Sequence, residues 1–403
     1  MRRRWWQFLV VLFLLLSIVG GVHYYLYSHL VAGFGPFSST TLGLIRALFA
    51  LGVVSFPVLR LLARNHLSRP SVLFDWAVVV WLGLVFYSFL LGLSVQVVAS
   101  VGRMTGLLAL ASPFTGSSPE RSAAFLVAGL TTLLATVGFL RGQATPRVVN
   151  LEVPLAHLPP SLDGFSVVQL SDVHVGTFAR PSRLRRIVET VNGLAPDLVV
   201  ITGDLADEEA SHLAPVEPIL GSLQSRHGVL AVPGNHDFFA GIDEVVRRAS
   251  SCGIRFLRNE KVVVADAIDV YGLDDPMGAR MGGSRVPFEH VIGPEAHERP
   301  TILLYHQPLG YPKLAEMGVG LVLSGHTHGG QLWPLGYLSR LFYPYNAGFF
   351  RIGRSHFYVS RGTGTWGPPM RFGAPSEIVN IRLRSPAPVL GTASLRRAVA
   401  VGE

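Results

Sequence analysis

Apolar residues fall along this chain in two regimes. Through residue 140 they come in long runs: Trp5 to Tyr27, Leu42 to Leu62, Val72 to Val98 and Ala123 to Leu140. Crossing the hydrocarbon core of a bilayer takes about 20 apolar residues in a helix, and each run is near or above that. Four membrane-spanning helices are therefore predicted. Arg2, Arg3 and Arg4 precede the first run as they would in a signal peptide, but the run is long and no small-residue cleavage site follows it. It is read as a retained anchor.

From about Arg147 the runs shorten and alternate with turn residues. Strands are predicted at Val167–Leu170, Leu198–Thr202 and Val229–Val232, with helices at Pro181–Asn192, Leu213–Gln224 and Asp243–Ser251 between and after them. This β-α order indicates an α/β domain with parallel pairing. Later strand-like runs lie at Val262–Val264, Ile268–Tyr271, Ile302–Tyr305, Leu321–Leu323, Phe357–Val359 and Glu377–Leu383. Fewer helices separate them, which predicts a second, more antiparallel sheet. The expected organisation is a transmembrane domain over 1–146, a soluble domain over 147–385, and a disordered Pro-, Ala- and Arg-rich tail over 386–403 with a short basic helix near Leu395–Val399.

Charge sharpens the division. Residues 1–150 hold eleven Lys/Arg against Asp75 and Glu120, about +9 of the chain's net +8, so residues 151–403 are near −1. The basicity belongs to the membrane half, where it suits anionic lipid; no nucleic-acid partner is expected. Cationic residues cluster at the N-terminus (Arg2–Arg4), after the second run (Arg64, Arg69) and after the fourth (Arg141, Arg147), while Ser28–Thr41 has none. The asymmetry places the N-terminus inside. Four spans then return the chain to that side, giving a multi-pass protein of an inner or plasma membrane with a cytoplasmic C-terminal domain. The third loop, with Arg103 and Arg121 against Glu120, is the weakest part of that count. Trp5, Trp6, Tyr24, Tyr25 and Tyr27 suit an interfacial belt, and Arg46, Arg60 and Asp75 are read as near-end residues that snorkel rather than as a transport path. Cys252 is the only cysteine, which excludes an intrachain disulfide and a Cys-rich zinc site.

The candidate chemistry lies where strand-like runs end. Asp172-Val173-His174, Gly203-Asp204, Gly234-Asn235-His236-Asp237, His306 and Gly325-His326-Thr327-His328-Gly329-Gly330 each follow one. Ligands of open α/β sheets gather beyond the carboxyl ends of strands, so the five segments can share one rim. In an extended segment, residues i and i+2 point the same way, so Asp172 and His174 can reach one ion and His326 and His328 one site. Imidazole with carboxylate and amide oxygen suits Zn, Fe or Mn rather than calcium or a structural zinc. Singly, each segment reads as a turn, a helix cap or a core histidine; jointly and in order they do not.

These segments resemble the calcineurin-like metallophosphoesterases, over roughly residues 150–385. Gly329-Gly330-Gln331, Tyr358-Val359-Ser360-Arg361-Gly362, Pro369-Met370-Arg371-Phe372 and Glu377 are similar to a bacterial, partly membrane-bound branch holding phosphodiesterase-like proteins. The resemblance implies two stacked mixed β-sheets flanked by helices, an αββα sandwich. It implies two divalent ions (Mn, Fe or Zn), the first held by Asp172, His174, Asp204 and His328 and the second by Asp204, Asn235, His306 and His326. His236, oriented by Asp237, would face the phosphate or the leaving oxygen, and a metal-activated hydroxide would attack phosphorus. Asp274, Asp275, Arg361 and Arg371 are candidate pocket residues. The expected activity is hydrolysis of a phosphodiester or pyrophosphate; the membrane half favours a lipid or lipid-linked substrate. The competing readings are a transporter or sensor regulated by this domain, and a non-catalytic scaffold. Against the first, the apolar runs lack paired ionisable residues; against the second, every ligand position is filled.

Overall fold

The computed structural model describes residues 2–62, 69–106, 119–281 and 286–386. Arg64, the tail from residue 387 and its expected helix at Leu395–Val399 lie outside the described residues. The chain forms two compact units: residues 1–144 with 366–372, and residues 145–365 with 373–403.

Among the described residues, the first unit holds four helices: α1 (Arg2–Phe34), α2 (Ser39–Leu62), α3 (Arg69–Met104) and α4 (Pro119–Gln143). Among the described residues, three stretches are long and apolar enough to cross a membrane: Leu12–Phe34, Val72–Met104 and Pro119–Gln143. The apolar stretch of α2, Ser39–Ser55, is shorter. Three of the four expected spans are thus met among the described residues. Polar side chains inside the unit find partners: the Trp81 indole donates to His23 Nε2 at 3.0 Å and Arg46 donates to the Tyr27 hydroxyl at 2.9 Å. The segment 366–372 packs within this unit. The Pro369 carbonyl lies where a Cβ on Gly142 would stand, Met370 would touch a Cβ on Gly138, and the Arg371 amide donates to the Gly138 carbonyl at 2.8 Å.

Among the described residues, the second unit is built on twelve strands: β1 (Arg147–Pro154), β2 (Ser166–Leu170), β3 (Leu198–Thr202), β4 (Val229–Val232), β5 (Ile254–Phe256), β6 (Glu260–Val264), β7 (Ile268–Gly272), β8 (Thr301–Leu304), β9 (Leu321–Ser324), β10 (Gly348–Ile352), β11 (Ser355–Val359) and β12 (Glu377–Arg384). Its helices are α5 (Pro181–Gly193), α6 (Glu217–Leu220), α7 (Asn235–Ala240), α8 (Ile242–Ser251), α9 (Pro276–Arg280), α10 (Tyr311–Glu316) and α11 (Leu335–Ser339). Two six-stranded sheets result, ordered β1-β12-β2-β3-β4-β5 and β10-β11-β9-β8-β7-β6.

Alternation along the strands explains the layers. Val167, Leu198, Val200 and Leu230 of the first sheet meet Val270, Ile302, Leu304 and Leu323 of the second in a shared core. Their neighbours Val168, Val199, Ile201 and Val229 face outward onto Leu184, Ile187 and Val188 of α5. On the other side, Tyr271, Leu303 and Val322 pack with Tyr311 and Leu314 of α10. Both sheets are therefore sandwiched between helices, with Gln169 bridging them: its amide donates to Thr202 Oγ1 at 2.8 Å and to the Ser324 carbonyl at 3.0 Å.

The second sheet corrects one expectation. β7, β8, β9 and β11 run parallel, and only the edge pairs β6–β7 and β10–β11 are antiparallel. Short crossovers such as the six-residue α10 leave too little periodicity to announce a helix. The helix expected at Leu213–Gln224 is instead a 3₁₀ stretch, Ala210–Val216, and the one-turn α6; Pro215 lies inside the former and Pro218 opens the latter. β1, β5 and β10 were not predicted: β5 has three residues, and β1 and β10 are edge strands with half-exposed patterns.

Candidate metal centre

All five segments lie in the second unit, each just past a strand's carboxyl end. β2, β3 and β4 are neighbours in one sheet, and β8 and β9 in the other, so three loops from one layer meet two from its partner. The backbone there is unusual. Asp172, His174, Asp204, His326 and His328 all have φ between 50° and 74°, a left-handed region that side chains other than glycine rarely enter. Thus Asp172 and His174 are not presented by an extended segment; tight turns aim them. Neighbouring glycines make the room. A Cβ at Gly203 would fall on the His306 ring, one at Gly234 on the Asp204 carboxylate, and one at Gly325 on Ser171 and Asp172.

The side chains converge on Asp204. Its Oδ2 is 3.2 Å from His306 Nε2 and 3.7 Å from His174 Nε2, while Oδ1 accepts the His236 amide at 2.8 Å. To one side, His174 Nε2 is 3.1 Å from His328 Nε2, and His328 Nε2 is 3.5 Å from Asp172 Oδ1. To the other, His326 Nδ1 is 2.9 Å from Asn235 Oδ1 and 3.3 Å from His306 Nε2. Among the described residues three groups follow, Asp172-His174-His328, Asp204-His306-His326 and His174-Asp207-His236. His326 and His328 therefore serve different clusters rather than one site. A further amide bond, from His326 N to Asp172 Oδ1 at 3.0 Å, ties the two layers together at the centre.

The donor set fits cations. His306 Nδ1 lies 2.8 Å from the Thr202 carbonyl and His174 Nδ1 lies 3.2 Å from Asp207 Oδ1, so both rings hold their proton on Nδ1. Their Nε2 lone pairs are left facing carboxylate oxygens and, for His174, a third imidazole. Such a set repels itself unless protons or metal ions lie between its members. Without ions, burial pushes the His174 imidazole down, but Asp207, Asp204 and Asp172 outweigh it and raise it to about 9. His306 is likewise raised well above its ordinary value, by Asp204 and Asp172 against burial. Burial and the charge on His306 lower His326 to about 3. Asp204 is held below the usual carboxylate range, since His306 and His174 overcome its burial.

Asp237 does not orient His236. Its two oxygens accept the Ala206 amide at 2.8 Å and the Gly234 amide at 2.9 Å, which fixes the loop carrying Asn235. Burial and the nearby Asp204 raise its carboxyl to about 6. The carboxylate beside His236 belongs to Asp207, whose Oδ1 is 2.9 Å from His236 Nδ1. Asp207 escapes notice in the sequence because an acid directly after Gly203-Asp204-Leu205-Ala206 looks like ordinary turn chemistry. So does Tyr343, whose hydroxyl is 2.8 Å from His326 Nε2; nothing local marks that tyrosine.

A cavity of about 1020 Å³ is lined by Phe238, Leu273, Asp274, Asp275, Phe288 and Tyr305 among others. Asp274 is paired with Arg258 at 2.9 Å, and Asp275 Oδ1 accepts from Met277 N at 2.8 Å and from Gln307 Nε2 at 3.1 Å. Arg361 does not line it; its guanidinium pairs with buried Glu377 at 2.9 Å. Arg371 is buried in the first unit.

Residues 165–330 match the calcineurin-like phosphoesterase family. A zebrafish (Danio rerio) protein called transmembrane protein with metallophosphoesterase domain is 39% identical over 63% of this chain and 61% of its own length. An uncharacterized metallophosphoesterase of Campylobacter jejuni is 34% identical over 63% of this chain and 68% of its own. The metallophosphoesterase YkuE of Bacillus subtilis is 32% identical over 64% of this chain and 94% of its own. The chain spans less than two thirds of the zebrafish relative. With fold, ligand order and relatives in agreement, the chain belongs to the calcineurin-like phosphoesterase family.

Proposed function

We propose that this protein is a metal-dependent phosphoester hydrolase of the phosphodiesterase or pyrophosphatase type, anchored in a membrane and acting on a lipid or lipid-linked ester. The observation that carries the reading is Asp204, which stands between His306 and His174 with both imidazole Nε2 atoms turned toward it. One ion would be held by Asp172, His174, Asp204 and His328, and a second by Asp204, Asn235, His306 and His326. Bound there, divalent ions supply Lewis-acid polarisation of the phosphoryl group and acidify the attacking water.

The remaining steps belong to the chain. His236, whose Nδ1 lies 2.9 Å from Asp207 Oδ1, would hold a proton for the departing oxygen. Asp207 also holds the His174 ring, so one carboxylate orients a ligand and the acid together. Asp237 locks the loop that presents Asn235 and His236. Mn, Fe and Zn all suit the nitrogen-rich donor set.

Purified full-length protein assayed with Mn, Zn and Fe added separately, against aryl phosphomonoesters, aryl phosphodiesters and lipid-linked pyrophosphates, tests the reading. Metal-dependent turnover of the diester or pyrophosphate is expected. A protein that binds no divalent ion and hydrolyses none of these esters would refute it. We place the second unit on the cytoplasmic side, which requires α2 to complete a fourth crossing. An export-only reporter fused after Arg384 should stay silent; its activity would reverse the orientation.

A further inference from the structure

The segment after the His326–His328 turn is built unlike the rest of the second unit. Trp333, Tyr337, Leu338, Leu341 and Phe342 are exposed within ten residues, Leu341 at 76% and Phe342 at 71%. Isolated exposed apolar residues are ordinary, but a run of large ones marks an interaction surface. The following hairpin exposes Phe349 and Arg351 on one face of β10. Charge is equally one-sided. From Glu316 to Glu377 the chain has no acid between, yet it carries Arg340, Arg351 and Arg354, all exposed. This occurs in a stretch of the chain, 151–403, whose net charge is near −1.

Trp and Tyr mixed with Leu and Phe, flanked by arginines and free of acids, match the boundary between acyl chains and anionic headgroups. A bilayer is also the occupant the chain itself supplies, since three of its helices are long and apolar enough to cross one. A groove for a soluble partner would not need five exposed apolar side chains of this size in a stretch of chain with no acid between Glu316 and Glu377.

The segment is fastened to the metal centre. Tyr343, next to Phe342, places its hydroxyl 2.8 Å from His326 Nε2 and 3.4 Å from Gln307 Oε1. Thr327 donates to the Asn346 carbonyl, and Ser339 bonds the Asn346 side chain. We infer that residues 333–342 form an interfacial docking segment that seats in an anionic bilayer surface and holds the metal centre beside it. That the seated segment then presents a lipid-borne phosphoester to the centre rests on the hydrolase reading above.

The test uses full-length protein in lipid nanodiscs, with Cys252→Ser and an environment-sensitive dye on Leu341→Cys. Brominated acyl chains are the quencher, in phosphatidylcholine alone and with phosphatidylglycerol added. The same dye on exposed Arg226→Cys is the control, and Phe342→Cys repeats the measurement should Leu341→Cys fail to fold. Quenching is expected at 341 and 342, stronger with phosphatidylglycerol, and absent at 226. Equal, weak quenching at 341, 342 and 226 would overturn the inference. So would a dye at 341 that is shielded from aqueous iodide yet untouched by brominated lipid, which would mean that a second copy or another protein covers the segment. The readout needs no turnover, so an inactive centre cannot be mistaken for a failure to dock.

Discussion

Asp204 and His236 are adjacent in space but do different work, and substitution separates them. Asp204→Ala removes the one carboxylate proposed to serve both metal sites, so metal content should fall along with activity. His236→Ala leaves every proposed ligand in place; metal content should hold while kcat drops by about 10²–10⁴, the range for a lost general acid. Metal analysis run beside steady-state kinetics distinguishes them, and equal metal loss in both variants would remove the distinction. Asp237→Ala should act through the fold. It strips acceptors from two buried amides, Ala206 and Gly234, at about 1–3 kcal/mol each. A clear fall in Tm is expected, and an unchanged Tm would show that those amides find other partners.

The loops that follow the strands bear the strain of the site. Five proposed ligands sit in left-handed conformations, and Gly234 and Gly325 leave room for the Asp204 and Asp172 carboxylates. Gly203→Ala places a methyl group against the His306 ring at φ +90°. Metal binding should weaken while far-UV circular dichroism stays native; full metal occupancy in that variant would show the ring free to move. The loops were legible in the sequence because glycine, histidine and aspartate recur where apolar runs stop. Their backbone was not, since a single sequence does not mark an aspartate or histidine as left-handed. That is why the i, i+2 argument put His326 and His328 on one site when the turn sends them to two. Long elements were legible for the same reason that short ones were not. Val229–Val232 shows its apolar run plainly, whereas three-residue β5 and six-residue α10 carry too few positions for any period. Asp207 was missed because its role depends on how a turn folds back toward His174 and His236.

Across the whole molecule, protons and metal ions compete for the same nitrogens. In the metal-free state His174 is raised to about 9 from an ordinary 6.5. A raised histidine stabilises the fold fully below 6.5, and that contribution is lost as pH climbs through about 9. His306, raised in the same direction, adds to the effect. Chelator-treated protein should therefore lose Tm between about pH 6.5 and 9, whereas protein loaded with Mn or Zn should not, because the ions replace the protons. Parallel pH profiles for the two forms would contradict this account.

The stacking of the two sheets carries one more consequence. Asp172, Asp204 and Asn235 ride on one sheet, and His306, His326 and His328 on the other. The spacing of the two proposed ligand sets is thus inherited from the hydrocarbon seam between the sheets, where Leu304, Leu230 and Leu323 serve as shims. The molecule works as a caliper whose jaw opening is ground far from its tips. Changes in its greasy hinge-plate, rather than in the jaws, would be the quiet route by which relatives come to prefer a larger or smaller ion.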